Sequence, residues 1–188
     1  PIACYHDDLA AEPVPWHWHE EVEMLTVVDM LRRAKISIDM VSITDQKEVT
    51  SSHNVTITAD KTLSEVNFDE AEMLILPGGI PGTPNLRACD PLCKKLKEFA
   101  ANGKKVAAVC AAPTVLGELG ILAGKKATCY PSFADKLATG DYVKRPVVTD
   151  GNVITSRGMG TCIEFAGAII EALKDKATAD AVKEAIIY

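Results

Sequence analysis

The sequence predicts an α/β protein built on a mostly parallel sheet with helices on both faces. Three observations predict it. Strand-like and helix-like segments alternate along the 188 residues. The strand-like segments are short, continuous apolar runs such as Met73-Leu74-Ile75-Leu76 and Val106-Ala107-Ala108-Val109, as strands buried on both faces require. No repeat or linker divides the chain, and its length suits a single domain over residues 1–188.

Residues 1–19 fit this scheme least. Ile2-Ala3-Cys4-Tyr5 suits a short strand, but Asp7-Asp8 and the Pro13/Pro15 pair break regular structure before Trp16-His17-Trp18-His19. Residues 20–34 read as a helix, with Glu20, Glu21 and Glu23 at its start and Arg32 and Arg33 at its end, matching the helix dipole. Apolar residues nearly surround it, so burial on two sides is expected, against a sheet and against another helix or subunit. Residues 36–43 alternate and read as a strand, and residues 48–60 as a small hairpin turning at His53-Asn54. Residues 63–68 form a short helical or irregular link. The strand Met73-Leu74-Ile75-Leu76 ends in Pro77-Gly78-Gly79, and a glycine- and proline-rich loop leads to an amphipathic helix over 91–101, closed by Asn102-Gly103.

Beyond the strand 106–109 comes Cys110, then small residues, Pro113 and a helical segment over 114–119. Residues 126–130 read as a strand and 131–137 as a helix with Pro131 near its start. Residues 146–149 and 153–155 make a hairpin about Asp150-Gly151-Asn152. Residues 156–160 form a flexible loop, Thr161 can cap a helix running to Lys174, and 177–187 form a final short helix.

Composition narrows the function. A hydrophobic content of 47% with 24% charged residues is ordinary for a soluble globular chain. The net charge of −6 and the lack of a Lys/Arg block argue against a nucleic-acid surface. No apolar run approaches the roughly 18–20 residues of a membrane span. Residues 1–19 carry Asp7, Asp8 and Glu12 and no Lys or Arg, unlike a secretory signal. Six cysteines (Cys4, Cys89, Cys93, Cys110, Cys129 and Cys162) are spread through a chain that needs no staples, and Cys89/Cys93 lack a second pair for zinc. They are expected to be reduced thiols of a cytoplasmic protein without a cofactor.

Among them, Cys110 has a chemically suggestive setting: a strand end, a tight turn and a helix start. Such an elbow presents a nucleophile where free N–H groups and the helix dipole favour a thiolate. A buried structural cysteine is the other reading, because free cysteine is among the most buried residue types. In a parallel sheet, ligands sit beyond the carboxyl ends of the strands, so Pro77-Gly78-Gly79, Cys110-Ala111 and Tyr130-Pro131 should converge on one cleft. Gly78, Gly79 and Ala111 could then offer N–H groups as an oxyanion hole, although Gly78-Gly79 also suits a plain tight turn.

Four stretches carry a resemblance: Leu76-Pro77-Gly78-Gly79, Val106-Ala107-Ala108-Val109-Cys110-Ala111-Ala112-Pro113, Lys126-Ala127-Thr128-Cys129-Tyr130-Pro131 and Thr155-Ser156-Arg157-Gly158-Met159-Gly160-Thr161. In this order and spacing they resemble the ThiJ/PfpI superfamily, most closely its DJ-one branch. Glu20-Glu21-Val22-Glu23 and Asp29-Met30-Leu31-Arg32-Arg33-Ala34 fit the same branch, so the resemblance covers residues 20–173. It implies a flavodoxin-like, doubly wound fold, a homodimer and a reactive cysteine. Carried over by motif, that cysteine is Cys110 and Glu23 is its protonated, hydrogen-bonding neighbour, with Tyr130 and Arg157 lining the site. Members are linked to glyoxalase-type conversion of methylglyoxal to lactate, to deglycase and chaperone activities, and to oxidation sensing.

Two departures qualify what is implied. Members with a histidine near the cysteine often place it just before the proline of the fifth-strand motif, where this chain has Tyr130, and Met159 stands where a proline is common. Without a Cys–His pair, protease activity is not expected. Fourteen residues, His6 to His19, also separate Tyr5 from Glu20, and His17-x-His19-x-x-x-Glu23 is similar to the first metal-ligand motif of cupins. Two histidines and a carboxylate can bind Zn, Fe or Mn, but no second histidine motif or all-β pattern follows, and Glu23 cannot serve both sites.

The expected function is therefore a cysteine-dependent stress-response protein acting on small reactive carbonyls, with Cys110 as nucleophile and Glu23 as proton carrier. The alternative is a non-enzymatic oxidation sensor or chaperone using Cys110, and a minor one is metal binding through His17 and His19. For the homodimer, residues 20–34 and the hairpin around His53 are the expected contact surfaces.

Overall fold

The computed structural model describes residues 20–51, 54–138 and 140–188, with backbone alone at 20–22. The strand expected at 2–5, the His17/His19 motif and His53 lie outside the described residues. In chain order the first elements are α1 (Glu20–Arg33), β1 (Val41–Ser42), β2 (Glu48–Thr50), β3 (Thr56–Thr58), β4 (Lys61–Thr62), β5 (Met73–Leu76), α2 (Gly82–Ala88), α3 (Asp90–Ala101) and β6 (Lys105–Val109). There follow α4 (Pro113–Glu118), β7 (Lys126–Ala127), β8 (Asp141–Tyr142), β9 (Val147–Asp150), β10 (Val153–Ser156), α5 (Cys162–Leu173) and α6 (Lys176–Ala185).

The central sheet runs β5-β6-β10-β9. Its first three strands are parallel, and β9 returns antiparallel to β10. Side chains alternate across a strand, and β6 shows why its run is continuously apolar. Val106 and Ala108 enter one core cluster with Leu96, Phe99 and Leu116, whereas Ala107 and Val109 enter the other with Leu31, Phe165 and Ile169. Helices α3 and α4 cover the first face; α1, α5 and α6 cover the second. This is the mixed α/β, flavodoxin-like architecture expected from the chain.

Helix α1 is amphipathic rather than apolar all round: Glu23, Val27, Val28, Met30, Leu31 and Ala34 are buried, while Leu25, Asp29, Arg32 and Arg33 are exposed. At α6 the Asp175 side chain accepts the Thr178 N–H at 2.7 Å, a true N-cap.

Several boundaries differ from those read in the sequence. Of residues 36–43 only Val41–Ser42 form a ladder, parallel to β4. Ile36, Ile38 and Met40 still alternate with the more exposed Ser37, Asp39 and Val41, so the side-chain pattern is present without a ladder partner among the described residues. Of residues 126–130 only Lys126–Ala127 pair, with β8, because the Thr128 N–H goes to Thr155 Oγ1 at 2.9 Å and the Tyr130 N–H to the Cys110 carbonyl at 2.8 Å. Residues 131–136 form a 3₁₀ helix. The expected loop after Gly79 contains α2; Pro84 fits there because first-turn N–H groups need no helical acceptor. Thr161 does not cap α5: its hydroxyl donates to the Gly158 carbonyl at 2.8 Å and accepts the Gly158 N–H at 3.2 Å, closing the preceding loop.

Phe165 is fully buried between α5 and the sheet. Phe165→Ala should destabilise the fold by about 3–5 kcal/mol, whereas Val55→Ala on the exposed hairpin should change it by less than about 0.5 kcal/mol. Urea midpoints of the two variants measure this contrast.

Candidate active site

The site begins with a backbone turn. Cys110 has φ 62°, in the left-handed region, and is completely buried. A non-glycine residue there costs of order 1–3 kcal/mol and persists only when its surroundings hold it. Here the Cys110 N–H donates to the Ser156 carbonyl at 3.0 Å, and the Cys110 carbonyl accepts from Tyr130. Beyond it, Thr114 Oγ1 donates to the Ala111 carbonyl at 2.7 Å. Helix α4 has only six residues, so individual N–H groups rather than a long helix dipole act on the sulfur.

Four groups converge on that sulfur and its neighbour. The Gly79 and Ala111 N–H groups and the Glu23 side chain hydrogen-bond Cys110. Glu23, projecting from α1 and also fully buried, accepts the Gly78 N–H through Oε2 at 3.3 Å. The expected backbone donors therefore divide: Gly79 and Ala111 serve the sulfur, Gly78 the carboxyl. Gly78 must be glycine, since a Cβ there would lie 2.5 Å from the Cys110 Cβ and 2.9 Å from the Val109 carbonyl. A Cβ on Gly158 would lie 3.8 Å from Cys110 Sγ, Glu23 Oε1 and Tyr130 Cδ2, so this loop and the tyrosine ring border the thiol.

Arg157 behaves differently from the other expected lining residues. It is half-buried, its Nε is buried with no hydrogen-bond partner among the described residues, and its charge acts on Cys129. Cys162, read in the sequence only as one of six thiols, stands at the start of α5 with its S–H 3.6 Å from the Gly158 carbonyl. Glu23 bears on its charge as well. The only signal for it was its place directly after the Arg157–Thr161 loop. Among the described residues, no group of three or more His, Cys, Asp or Glu is placed to hold a metal, and no helix is long and apolar enough to cross a membrane.

Burial pushes the Cys110 thiol well above its ordinary range; an ionised Glu23 adds to that, and the Gly79 and Ala111 N–H groups oppose it. The elbow therefore does not favour a thiolate while Glu23 is charged. Two negative charges would share one enclosed space, so the pair titrates as a unit around one proton. Burial also raises Cys129 to about 11, against the lowering charge of Arg157, and Cys162 to about 12.

These shifts set a pH dependence. In the unfolded chain the thiols ionise near pH 8.5, and in the folded chain higher. Above about pH 8.5 the folded state holds more protons, so stability falls as pH rises, by up to about 1.4 kcal/mol per pH unit per thiol. Urea unfolding between pH 7 and pH 10.5 should show this decline, and Cys162→Ser should make it shallower. A flat profile would contradict the burial of these thiols.

Comparison with known proteins gives a consistent result. The model of the DJ-1/PfpI family matches residues 15–172. Protein dj-1beta of Drosophila melanogaster is 37% identical over 170 residues, covering 89% of this chain and 91% of the fly protein. A Caenorhabditis elegans protein named glutathione-independent glyoxalase DJR-1.2 is 34% identical over 157 residues, 82% of this chain and 83% of its own. The chain spans less than half the length of the Arabidopsis thaliana DJ-1 homologs B and A, which it matches at 39% and 37% identity over 85% and 91% of this chain. Among solved structures, oxidized Toxoplasma gondii DJ-1 superposes with a TM-score of 0.84 at 35% identity, covering 92% of this chain and 94% of that one. With the family model spanning most of the chain and the fly relative aligned over nearly its whole length, this protein belongs to the DJ-1/PfpI family.

Proposed function

We propose that this protein is a cysteine-dependent stress-response protein that converts small reactive carbonyls of the methylglyoxal type, with Cys110 as nucleophile and Glu23 as proton carrier. The observation that carries this reading is the Glu23 carboxyl hydrogen-bonded to a buried Cys110 whose sulfur also receives the Gly79 and Ala111 N–H groups. The name of the nematode relative, a glutathione-independent glyoxalase, supports the same chemistry. With the shared proton on Glu23, the carboxyl becomes a donor to the thiolate instead of a repelling charge.

The reaction then balances without a cofactor. The sulfur attacks the aldehyde carbon; a C–S bond forms, the carbonyl π bond opens, and the oxygen takes the Glu23 proton while nearby N–H groups stabilise it. Glu23, now a carboxylate, removes the proton from that carbon, and the electron pair moves toward the adjacent ketone. A proton returned to the neighbouring carbon, with the hydroxyl proton passing to the former ketone oxygen, leaves a lactoyl thioester. The aldehyde carbon has been oxidised and the ketone carbon reduced within one molecule. Water cleaves the thioester, releasing lactate and restoring the thiol. Tyr130 stands where a histidine could have paired with the cysteine, which sets this reading apart from proteolysis.

A second reading rests on the same donors. They would also hold the oxygens of a Cys110 sulfinate, making the site an oxidation sensor or the switch of a chaperone; the oxidized state of the Toxoplasma relative favours it. Both readings take the protein as a cytoplasmic homodimer of single-domain subunits. Metal binding by His17 and His19 is the minor alternative, read from the metal content of the protein with and without both histidines.

Lactate formation from methylglyoxal should be abolished in Cys110→Ser and fall by about 10²–10⁴-fold in Glu23→Gln, and turnover by Cys110→Ser would refute the carbonyl mechanism. Under graded peroxide, the sensor reading requires two oxygens added selectively at Cys110; scattered oxidation across the thiols counts against it.

A further inference from the structure

The two backbone donors to the Cys110 sulfur sit at the starts of two different helices. The Gly79 carbonyl accepts the Thr83 N–H at 2.8 Å, so the residue whose N–H reaches the sulfur also anchors the first turn of α2. At α4 the Ala111 carbonyl accepts the Thr114 N–H at 3.1 Å and the Thr114 hydroxyl at 2.7 Å. Arg87, in the last turn of α2, reaches from one helix to the other. Its Nη2 donates to Thr114 Oγ1 at 3.3 Å, and its Nε lies 2.6 Å from Glu118 Oε2. Thr114 and Glu118 are four residues apart on α4 and share one face, so a planar guanidinium can engage both acceptors at once. A hydroxyl has one proton and a guanidinium only donates. Arg87 therefore takes a lone pair of Thr114 and leaves the proton for the Ala111 carbonyl. Thr114 is buried, but the Arg87 and Glu118 side chains are 44% and 42% exposed. An ion pair this exposed adds little to stability, so what it governs is position.

We propose that Arg87 is a positioning residue of the site: by tying α2 to Thr114 and Glu118 of α4, it fixes the spacing of the Gly79 and Ala111 N–H groups around the Cys110 sulfur. Ala111 is held from both sides. The peptide before it is pinned where the Cys110 carbonyl accepts the Tyr130 N–H, and the peptide after it where the Ala111 carbonyl accepts from Thr114. Gly79, at φ 85°, rides on α2 through its carbonyl. A shift of α2 against α4 thus moves one donor relative to the other, and hydrogen bonds weaken steeply with such misalignment. Both donors favour the ionised sulfur, and the thiolate is the nucleophile, so a loosened clamp leaves Cys110 less reactive. The inference rests on Cys110 as the reacting group of the proposed function, but not on which electrophile it attacks.

Iodoacetamide alkylation of Cys110 in the full chain, followed on its own peptide by mass spectrometry, reads the thiolate without any carbonyl substrate. Near neutral pH the rate should fall about 3–10-fold in Arg87→Met, the weight of one weakened hydrogen bond, with the urea midpoint unchanged. Thr114→Val should also slow the reaction, and the double variant should lose less than the product of the two single losses, because Arg87 acts partly through Thr114. Arg87→Lys keeps the charge without the planar fork and should react like Arg87→Met. A wild-type rate in Arg87→Met, a loss of rate matched by a loss of stability, multiplicative losses in the double variant, or full recovery in Arg87→Lys overturns the proposal. Should Arg87→Met fail to fold, Glu118→Gln weakens the other end of the clamp, and a wild-type rate there overturns the proposal equally. If the wild-type chain forms no lactate from methylglyoxal while Cys110 alkylation still depends on Arg87, the carbonyl reading fails and the clamp stands.

Discussion

Cys110 and Glu23 meet inside the protein, both fully buried, and each carries a dissociable proton. Removing both protons would place two negative charges in one low-dielectric space, so each charge disfavours the other. The local structure follows from that constraint. Gly79 and Ala111 direct N–H groups to the sulfur and Gly78 directs one to the carboxyl, supplying in fixed dipoles what solvent would supply outside. The left-handed turn at Cys110 is held by bonds to Ser156 and Tyr130, so three strand ends share the cost of aiming one side chain.

The sheet matters to this pair because it brings distant segments to the same edge. β5 delivers Gly78 and Gly79, β6 delivers Cys110, and the loop after β10 delivers Gly158. Helix α1 crosses the face formed by Ala107 and Val109 and brings Glu23 to the sulfur, while Val27 and Leu31 anchor it. Close approach is possible only because the residues beneath are small: at Gly78 even one methyl group would meet the Cys110 side chain.

Much of this was legible residue by residue. The continuous apolar runs at 73–76 and 106–109 announced buried parallel strands, and Pro77-Gly78-Gly79 with Cys110-Ala111 announced the convergence at their ends. Features that depend on partners were not legible. Residues 36–40 have the side-chain alternation of a strand but no described ladder neighbour. Thr128 and Tyr130 give their N–H groups to Thr155 and Cys110 instead of extending β7. Arg157 lies in a motif of the site, yet its charge acts on Cys129, and Cys162 was unremarked although its thiol lies under the same loop.

The sequence by itself determined the layered α/β class, the candidate nucleophile Cys110 and, through motif resemblance, its candidate partner Glu23, because strand burial, turn composition and motif spacing are local properties of a chain. Only the tertiary structure decided which N–H serves which atom and that burial raises the thiol rather than the elbow lowering it. Those outcomes depend on distances between segments as far apart as Glu23 and Gly78 or Cys110 and Ser156. Hydrogen bonds and Coulomb energies vary steeply with such distances, and no local pattern of residues encodes them.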